Sequence, residues 1–282
     1  MHILTFDIEE WFHLLDNAST KTEVQWQNFE VRIHQNMERV FKILEATDVK
    51  ASFFVLGWIA EKYPEVVKEI SDRGYEIGSH TTSHQLVYEQ SQQAFQADVE
   101  RSIKSLEDIS GKKVNMFRAP GFSITEKNKW SFEILYELGI EIDCSVFPAG
   151  RAHGGLPSYG VAEPSILKYE GVQLKEFPIN TFPILNRPMI FSGCGYFRFY
   201  HYQFIKEWTQ KSDYVMYYFN TMDFDPDQPI VKGLSMQRKF KSYVGLKKAD
   251  DKLKKWISDF EFIDIETANK QIDWNTVKTI QL

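Results

Sequence analysis

The sequence predicts an α/β fold, either a parallel sheet or a (β/α) barrel, and three observations carry that prediction. Short apolar runs of strand length (3–6, 51–56, 75–78 and 140–144) alternate with longer amphipathic stretches of helical period. Glycines sit where those helices should stop: Gly74, Gly111 and Gly139. Finally, Asp7, His80, His84, Arg118 and Asp143 all fall at the carboxyl ends of predicted strands, where such folds bind ligands.

The elements follow in chain order. Strand 3–6 runs into Asp7-Ile8-Glu9-Glu10-Trp11-Phe12-His13. Three carboxylates in four positions at a strand end are costly unless solvated or paired with a cation, so this is a charged loop or an acidic rim facing a metal. Phe29, Ile33, Met37, Val40, Phe41 and Leu44 recur at helical spacing over 29–46. Strand 51–56 closes at Gly57, and a helix through Val66, Val67 and Ile70 reaches Arg73 before Gly74. Strand 75–78 then enters His80-Thr-Thr-Ser-His84, read as a turn or helix start. On one helical turn, i and i+4 point the same way, so two neutral imidazoles can share a divalent cation. Three protein ligands and an open position are the usual catalytic zinc arrangement. A helix over 92–109 ends at Gly111; the strand end at Met116–Ser123 must turn at Pro120; a helix over 125–138 precedes strand 140–144.

The second half, 149–282, begins richer in Gly and Pro, with a strand at 172–178. In Ser192-Gly-Cys-Gly-Tyr-Phe-Arg198, glycines flanking a cysteine suggest close backbone approach. A helix at 202–210 and a strand at 214–219 open onto Asn220-Thr-Met-Asp-Phe-Asp-Pro226. The lysine-rich helix 247–258 reads as a solvated face, and 260–263 as a last strand before the tail. With no repeat, low-complexity segment or linker, 1–282 reads as one domain, its motifs in 1–148 and an irregular elaboration in 149–282.

Composition narrows the function classes. A net charge of −6 over 282 residues argues against nucleic acid or an acidic membrane as the main partner. Two cysteines make neither a disulfide framework nor a metal cluster. The start at His2-Ile-Leu-Thr-Phe is too short and too soon acidic for a signal peptide, and no apolar run approaches the roughly 20 residues of a membrane span, so the cytoplasm is the expected compartment.

In this order the motifs resemble the polysaccharide deacetylase family of NodB homology: Thr5-Phe-Asp7-Ile-Glu9, His80-Thr-Thr-Ser-His84, Arg118-Ala-Pro-Gly-Phe122 and Asp143-Cys-Ser-Val-Phe-Pro148. The resemblance implies a distorted (β/α) barrel that removes N- or O-acetyl groups from glycans with a divalent metal, zinc first, with Co, Ni or Mn as alternatives. It makes Asp7 the catalytic base, Arg118 the residue orienting it, and His80 and His84 metal ligands. Glu9 is the expected third ligand, because alternate residues leaving a strand share a face, and Glu10 is the reserve. Glu176-Phe-Pro-Ile, the 192–198 segment and Asp223-Phe-Asp-Pro-Asp-Gln-Pro229 resemble a bacterial subgroup found with exopolysaccharide and O-antigen synthesis genes.

One departure bears on catalysis. Where the family places a histidine to protonate the leaving amine, this chain has Asn220, which donates a hydrogen bond but cannot release a proton at neutral pH. Losing a general acid costs about 10²- to 10⁴-fold in rate. His153, Asp223 or a water are the stand-ins. Trp11, Phe122 and Tyr196 are candidate sugar platforms, with Pro120 and Asp143 expected along the substrate. His13 reads as a polar rim residue and His201 as structural. The expected function is metal-dependent deacetylation of an acetylated amino sugar in a surface-polysaccharide precursor, with peripheral contact to a lipid-linked substrate as an option. The alternative is a weakened or inactive carbohydrate-binding protein of the same fold.

Overall fold

The computed structural model describes residues 1–282 apart from Asp16, Arg151, Ala152, Leu185 and Asn186 and the side chains of Ile184 and Arg187. Its strands are β1 (His2–Ile8), β2 (Ser52–Val55), β3 (Glu76–Ser79), β4 (Met116–Phe117), β5 (Ile142–Asp143), β6 (Ser165–Tyr169), β7 (Val172–Glu176), β8 (Phe182–Ile184), β9 (Arg187–Met189), β10 (Val215–Asn220) and β11 (Thr279–Gln281). Nine form one sheet in the order β10-β1-β2-β3-β4-β5-β7-β6-β11, while β8 and β9 make a separate hairpin. Every ladder in the large sheet is parallel except β6–β7. This is the expected α/β class. Among the described residues no ladder joins β10 to β11, the pairing that would complete a barrel.

Side-chain alternation along the strands separates two cores. Leu4, Phe6 and Ile8 of β1 join Phe53 and Val55 of β2, Val215, Tyr217 and Phe219 of β10, and helix residues such as Val40, Val67 and Phe95. Ile3, Phe54, Met216 and Tyr218 belong to a second cluster on the other face. Thr5 and Asp7 share the parity of Ile3, and Asp7 lies between Phe54 and Asn220 in the β2 and β10 registers. Two chemically unlike faces thus arise from one alternating strand.

The helices differ from expectation where polar groups set their ends. The helix Ile33–Thr47 starts later than expected, because Glu10 Oε1 accepts the N–H groups of Arg32 and Ile33 at 2.7 Å each and caps it. Asn128 Oδ1 accepts from the Thr125 N–H at 2.7 Å, holding a turn there, so the helix begins only at Ser131. Gly57–Lys62 is a helix that was not anticipated. Strands β6 and β11 and the helix Ile265–Gln271 were also missed, whereas the expected strand at 260–263 is reduced to one bridge, Ile3 with Ile263. No helix among the described residues is long and apolar enough to cross a membrane.

Candidate active site

Asp7 projects from β1 on the face of Ile3 and Phe54 and meets Arg118, which follows β4. Arg118 Nη1 donates to Asp7 Oδ1 at 2.7 Å and to the Thr5 hydroxyl oxygen at 2.8 Å, and Thr5 in turn donates to the Tyr217 carbonyl at 2.7 Å. The guanidinium is fully buried and lies 4.1 Å from the Phe54 ring centre. A planar cation so clamped has one orientation, and so therefore has the carboxylate it holds.

Glu9, His80 and His84 converge beside this pair. Ligand-capable atoms of the three all lie within 4.8 Å of one another, and all three residues are buried. His80 Nδ1 is 2.7 Å from the Arg118 carbonyl; an N–H there leaves the Nε2 lone pair free to bind a cation. Burial lowers the His80 pKa to about 4, partly offset by the charge of Asp7, so the ring is neutral at pH 7. Glu9 Oε2 stands 2.8 Å from His84 Nε2, and no donor in hydrogen-bonding geometry reaches it among the described residues. Burial raises the Glu9 pKa, with the His84 charge opposing. A buried carboxylate oxygen without a donor, next to two imidazoles, is a donor set that suits a divalent cation of the zinc type.

The histidines do not ride on a helical turn, as the i, i+4 spacing suggested. They sit on a loop in which Thr81 (φ 66°) and His84 (φ 51°) are both left-handed, each at a cost of about 1–2 kcal/mol. Compensating bonds hold it. Asp98 Oδ1 accepts the Ser83 N–H at 3.0 Å, and the Thr82 hydroxyl donates to the Asp98 carbonyl at 2.8 Å. The Thr81 hydroxyl accepts the His84 N–H at 3.2 Å, and the Thr81 carbonyl accepts the Gly57 N–H at 2.8 Å. Phe122 (φ 53°) and Cys194 (φ 46°) are left-handed as well, so among the described residues four of the six non-glycine positions with positive φ border this one site.

At the end of β10, Asn220 lies in register with Asp7. Its N–H donates to Asp223 Oδ2 at 2.9 Å, its Oδ1 is 3.7 Å from Cys194 Sγ, and Asp223 Oδ1 is 3.0 Å from Arg198 Nε. Burial lifts the Asp223 carboxyl above its usual range against the pull of Arg198. The flanking glycines do mark close approach: a Cβ at Gly193 would sit 2.4 Å from the Tyr218 ring, and one at Gly195 would sit 2.6 Å from the Lys241 carbonyl.

Several expected residues lie elsewhere. Glu10 faces the helix it caps, and burial pushes its pKa up to about 7, so it is engaged away from the histidines. Asp143 is fully buried; it pairs in register with Phe117, on the helix-packed side of the sheet, and accepts from the Ser145 hydroxyl at 2.5 Å. There it acts through Ser145, whose oxygen accepts the Ala119 N–H at 2.8 Å. Trp11 is a core residue that donates to the Glu30 carbonyl at 2.8 Å and stands edge-on to Phe29. Pro120 and Phe122 are buried, Phe122 meeting Tyr218 edge-on at 4.9 Å, so they form wall rather than platform; Tyr196 alone of the aromatic candidates is half-exposed. His153 Nε2 is 2.9 Å from Arg238 Nη1, which makes that nitrogen an acceptor and unsuited to releasing a proton.

His13 is not on a rim. It is 2 % exposed, its ring 4.3 Å from Trp26 and 6.0 Å from His84, and Nδ1 accepts the Glu10 N–H at 3.1 Å. Burial keeps it neutral, the charges of His84 and His80 acting the same way. Beside it and His84 lies a cavity of about 220 Å³ reached by Lys21 and Leu86. His201 caps the helix Tyr202–Gln210, the structural role expected. Thr5 and Asp98 were missed; nothing but their neighbours in space distinguishes them.

Residues 17–141 match the family model described as polysaccharide deacetylase, and residues 144–270 match a domain of unknown function, DUF3473. Among curated proteins, a peptidoglycan-N-acetylglucosamine deacetylase of Bacillus cereus is 32% identical over 96 residues, 34% of this chain and 35% of that protein. A chitooligosaccharide deacetylase of Azorhizobium caulinodans is 31% identical over 97 residues, 34% of this chain and 43% of its own length. The matched stretch therefore spans less than half the length of each of these relatives. A solved structure described as a putative polysaccharide deacetylase from Mycobacterium smegmatis shares the fold with a TM-score of 0.66 at 15% identity, covering 100% of this chain and 92% of that one.

Proposed function

We propose, for a chain whose residues 17–141 match the polysaccharide deacetylase family model, a metal-dependent hydrolase that removes an acetyl group from an amino sugar of a surface-polysaccharide precursor. The observation that carries this reading is the convergence of Glu9, His80 and His84 within 4.8 Å, beside an Asp7 clamped by a buried arginine. Glu9, His80 and His84 would hold a divalent cation, zinc before Co, Ni or Mn. When bound, such a cation supplies Lewis acidity toward the acetyl carbonyl and lowers the pKa of water.

The chain's own groups do the rest. Arg118 holds Asp7 in one orientation, so that Asp7 accepts the proton of the attacking water as general base. His80, its Nδ1–H directed at the Arg118 carbonyl, is fixed in one tautomer. Asn220 neighbours Asp7 but has no proton to give. Asp7, protonated by the first step, is the group in line to return that proton to the amine nitrogen as the C–N bond breaks. Half-exposed Tyr196 offers a ring to the sugar.

Acetate release from N-acetylated chito-oligosaccharides, with added Zn²⁺ or Co²⁺, tests the reading. Asp7→Asn should lower release by at least ~10²-fold while metal-induced thermal stabilisation persists; unchanged release removes Asp7 from the mechanism. Asn220 supports a second reading, a deacetylase fold that binds its glycan with little turnover. Saturable glycan binding without acetate release under any metal would favour it.

A further inference from the structure

The candidate site leaves unexplained a surface of the second half. Residues 230–248 contain six cations (Lys232, Arg238, Lys239, Lys241, Lys247 and Lys248) and no carboxylate, in a protein whose net charge is −6. Some exposed lysines elsewhere sit in ion pairs, such as Lys42 with Glu38, Lys68 with Asp72 and Lys270 with Glu266, while others, such as Lys62 and Lys104, stand singly among the described residues. Among the described residues, Lys232, Lys239, Lys241, Lys247 and Lys248 form no ion pair and are all exposed. What sets this segment apart is density: its cations follow one another with no carboxylate between Asp227 and Asp250.

Apolar groups stand among them. The helix Met236–Tyr243 buries none of its residues. Met236 is 90% exposed and Phe240, one turn on, 55%; Phe199, 56% exposed, meets Phe240 edge-on at 5.8 Å. The segment is nevertheless anchored. Arg198 Nη1 donates to the Ser242 and Val244 carbonyls at 2.9 Å each, and Arg238 Nη2 donates to the Leu15 carbonyl at 2.8 Å. A rigid, basic helix with unburied methionine and phenylalanine is chemically matched to one kind of surface: headgroups of negative charge over an acyl layer that takes apolar side chains.

We propose that the face formed by residues 230–248 and Phe199 docks on an anionic lipid bilayer. A polyanionic glycan or nucleic acid would satisfy the lysines but give Met236 nothing to enter. The overall charge of −6, which argued against acidic membranes as the main partner, averages over a surface that is far from uniform. Screening confines the attraction to the side that approaches, within a Debye length of about 10 Å at 0.1 M salt. The docking does not depend on the hydrolase reading. If both hold, Arg198, which touches Asp223 as well as this segment, places the cleft next to the membrane, where an amino sugar carried on a lipid would be met.

Co-sedimentation of the full chain with phosphatidylcholine vesicles, with and without phosphatidylglycerol, tests this. Binding is expected to the anionic vesicles only and to fall steeply as salt is raised. Lys239→Glu with Lys241→Glu should weaken it about tenfold or more, and Met236→Ser with Phe240→Ser should weaken it by a similar factor without altering the thermal melt, since all four side chains are exposed. Equal binding to neutral vesicles, full binding by either double variant, or retention on a heparin matrix with no vesicle binding would each overturn the proposal. Acetate release measured on a soluble oligosaccharide reports the hydrolase reading separately.

Discussion

Zinc should raise the melting temperature of this protein, and Glu9→Gln should remove most of the rise. A ligand at about 100 times its dissociation constant stabilises the folded state by about 2.7 kcal/mol. For 282 residues at roughly 2.1 cal/mol/K each, the unfolding entropy is near 0.6 kcal/mol/K, so the shift is about 4–5 °C. Glu9→Gln keeps the shape of a side chain whose Oε2 has no hydrogen-bond donor, and removes one charged member of the three. Even a group behind the ligands typically costs 10–100-fold in metal affinity. A tenfold loss leaves about 1.4 kcal/mol at the same zinc concentration, and a hundredfold loss about 0.4 kcal/mol, less than 1 °C. Without metal the variant should melt no lower than the parent, because a buried carboxylate has become neutral. Scanning calorimetry with and without zinc reads all three numbers. A parent shift of zero, or a shift in Glu9→Gln and His84→Gln as large as the parent's, would refute the assignment of these residues to a cation.

Asn220→His should raise acetate release about tenfold or more if proton return to the amine limits turnover, and leave it unchanged if Asp7 already suffices; initial rates against pH separate the two. Arg118→Met should cost about 3–5 kcal/mol in urea denaturation by stranding the Asp7 charge, and adding Asp7→Asn should recover part of that loss. Glu76, bound to the Ser52 hydroxyl and the Glu266 N–H, has a folded pKa raised from 4.5 to about 7, mainly by burial. Its folded state holds the proton more tightly than the unfolded one, so the gain is full below pH 4.5 and is lost as pH rises through 7. The parent should lose up to about 3 kcal/mol of stability across that window from this group; Glu76→Gln should flatten the pH profile of denaturation, with Glu10 and the other buried carboxyls of raised pKa supplying the slope that remains.

What the sequence disclosed follows strand parity. β1 was legible as an apolar run, and the alternate spacing of Asp7 and Glu9 at its end was enough to expect them on one face. β5 has only two residues, Ile142 and Asp143, too few for any period, so no local pattern signalled that Asp143, expected along the substrate, shares the side of Phe117. Glu10, one position from Glu9, points away for the same reason of alternation, and its cap to Ile33 is a contact across 23 positions that no local pattern announces. Trp11 and His13 look polar-adjacent in sequence yet pack among Phe12, Phe29, Trp26 and Trp58, a cluster assembled from three separate segments. The edge strand β11, Thr279–Gln281, has no buried residue and hence no hydrophobic signal. The i, i+4 histidines were found by spacing, although the loop brings them together by left-handed backbone rather than by helix.

Strand β10 pairs with β1 at six successive positions, His2 with Val215 through Asp7 with Asn220. A fragment stopping at residue 143 would keep every metal-binding candidate and still lose the neighbour that flanks the general base. Its first strand would lie bare along one side, offering a row of unsatisfied amides to any other copy. Anyone trimming this chain to its recognisable half should expect fibrils or inclusion bodies before a minimal enzyme.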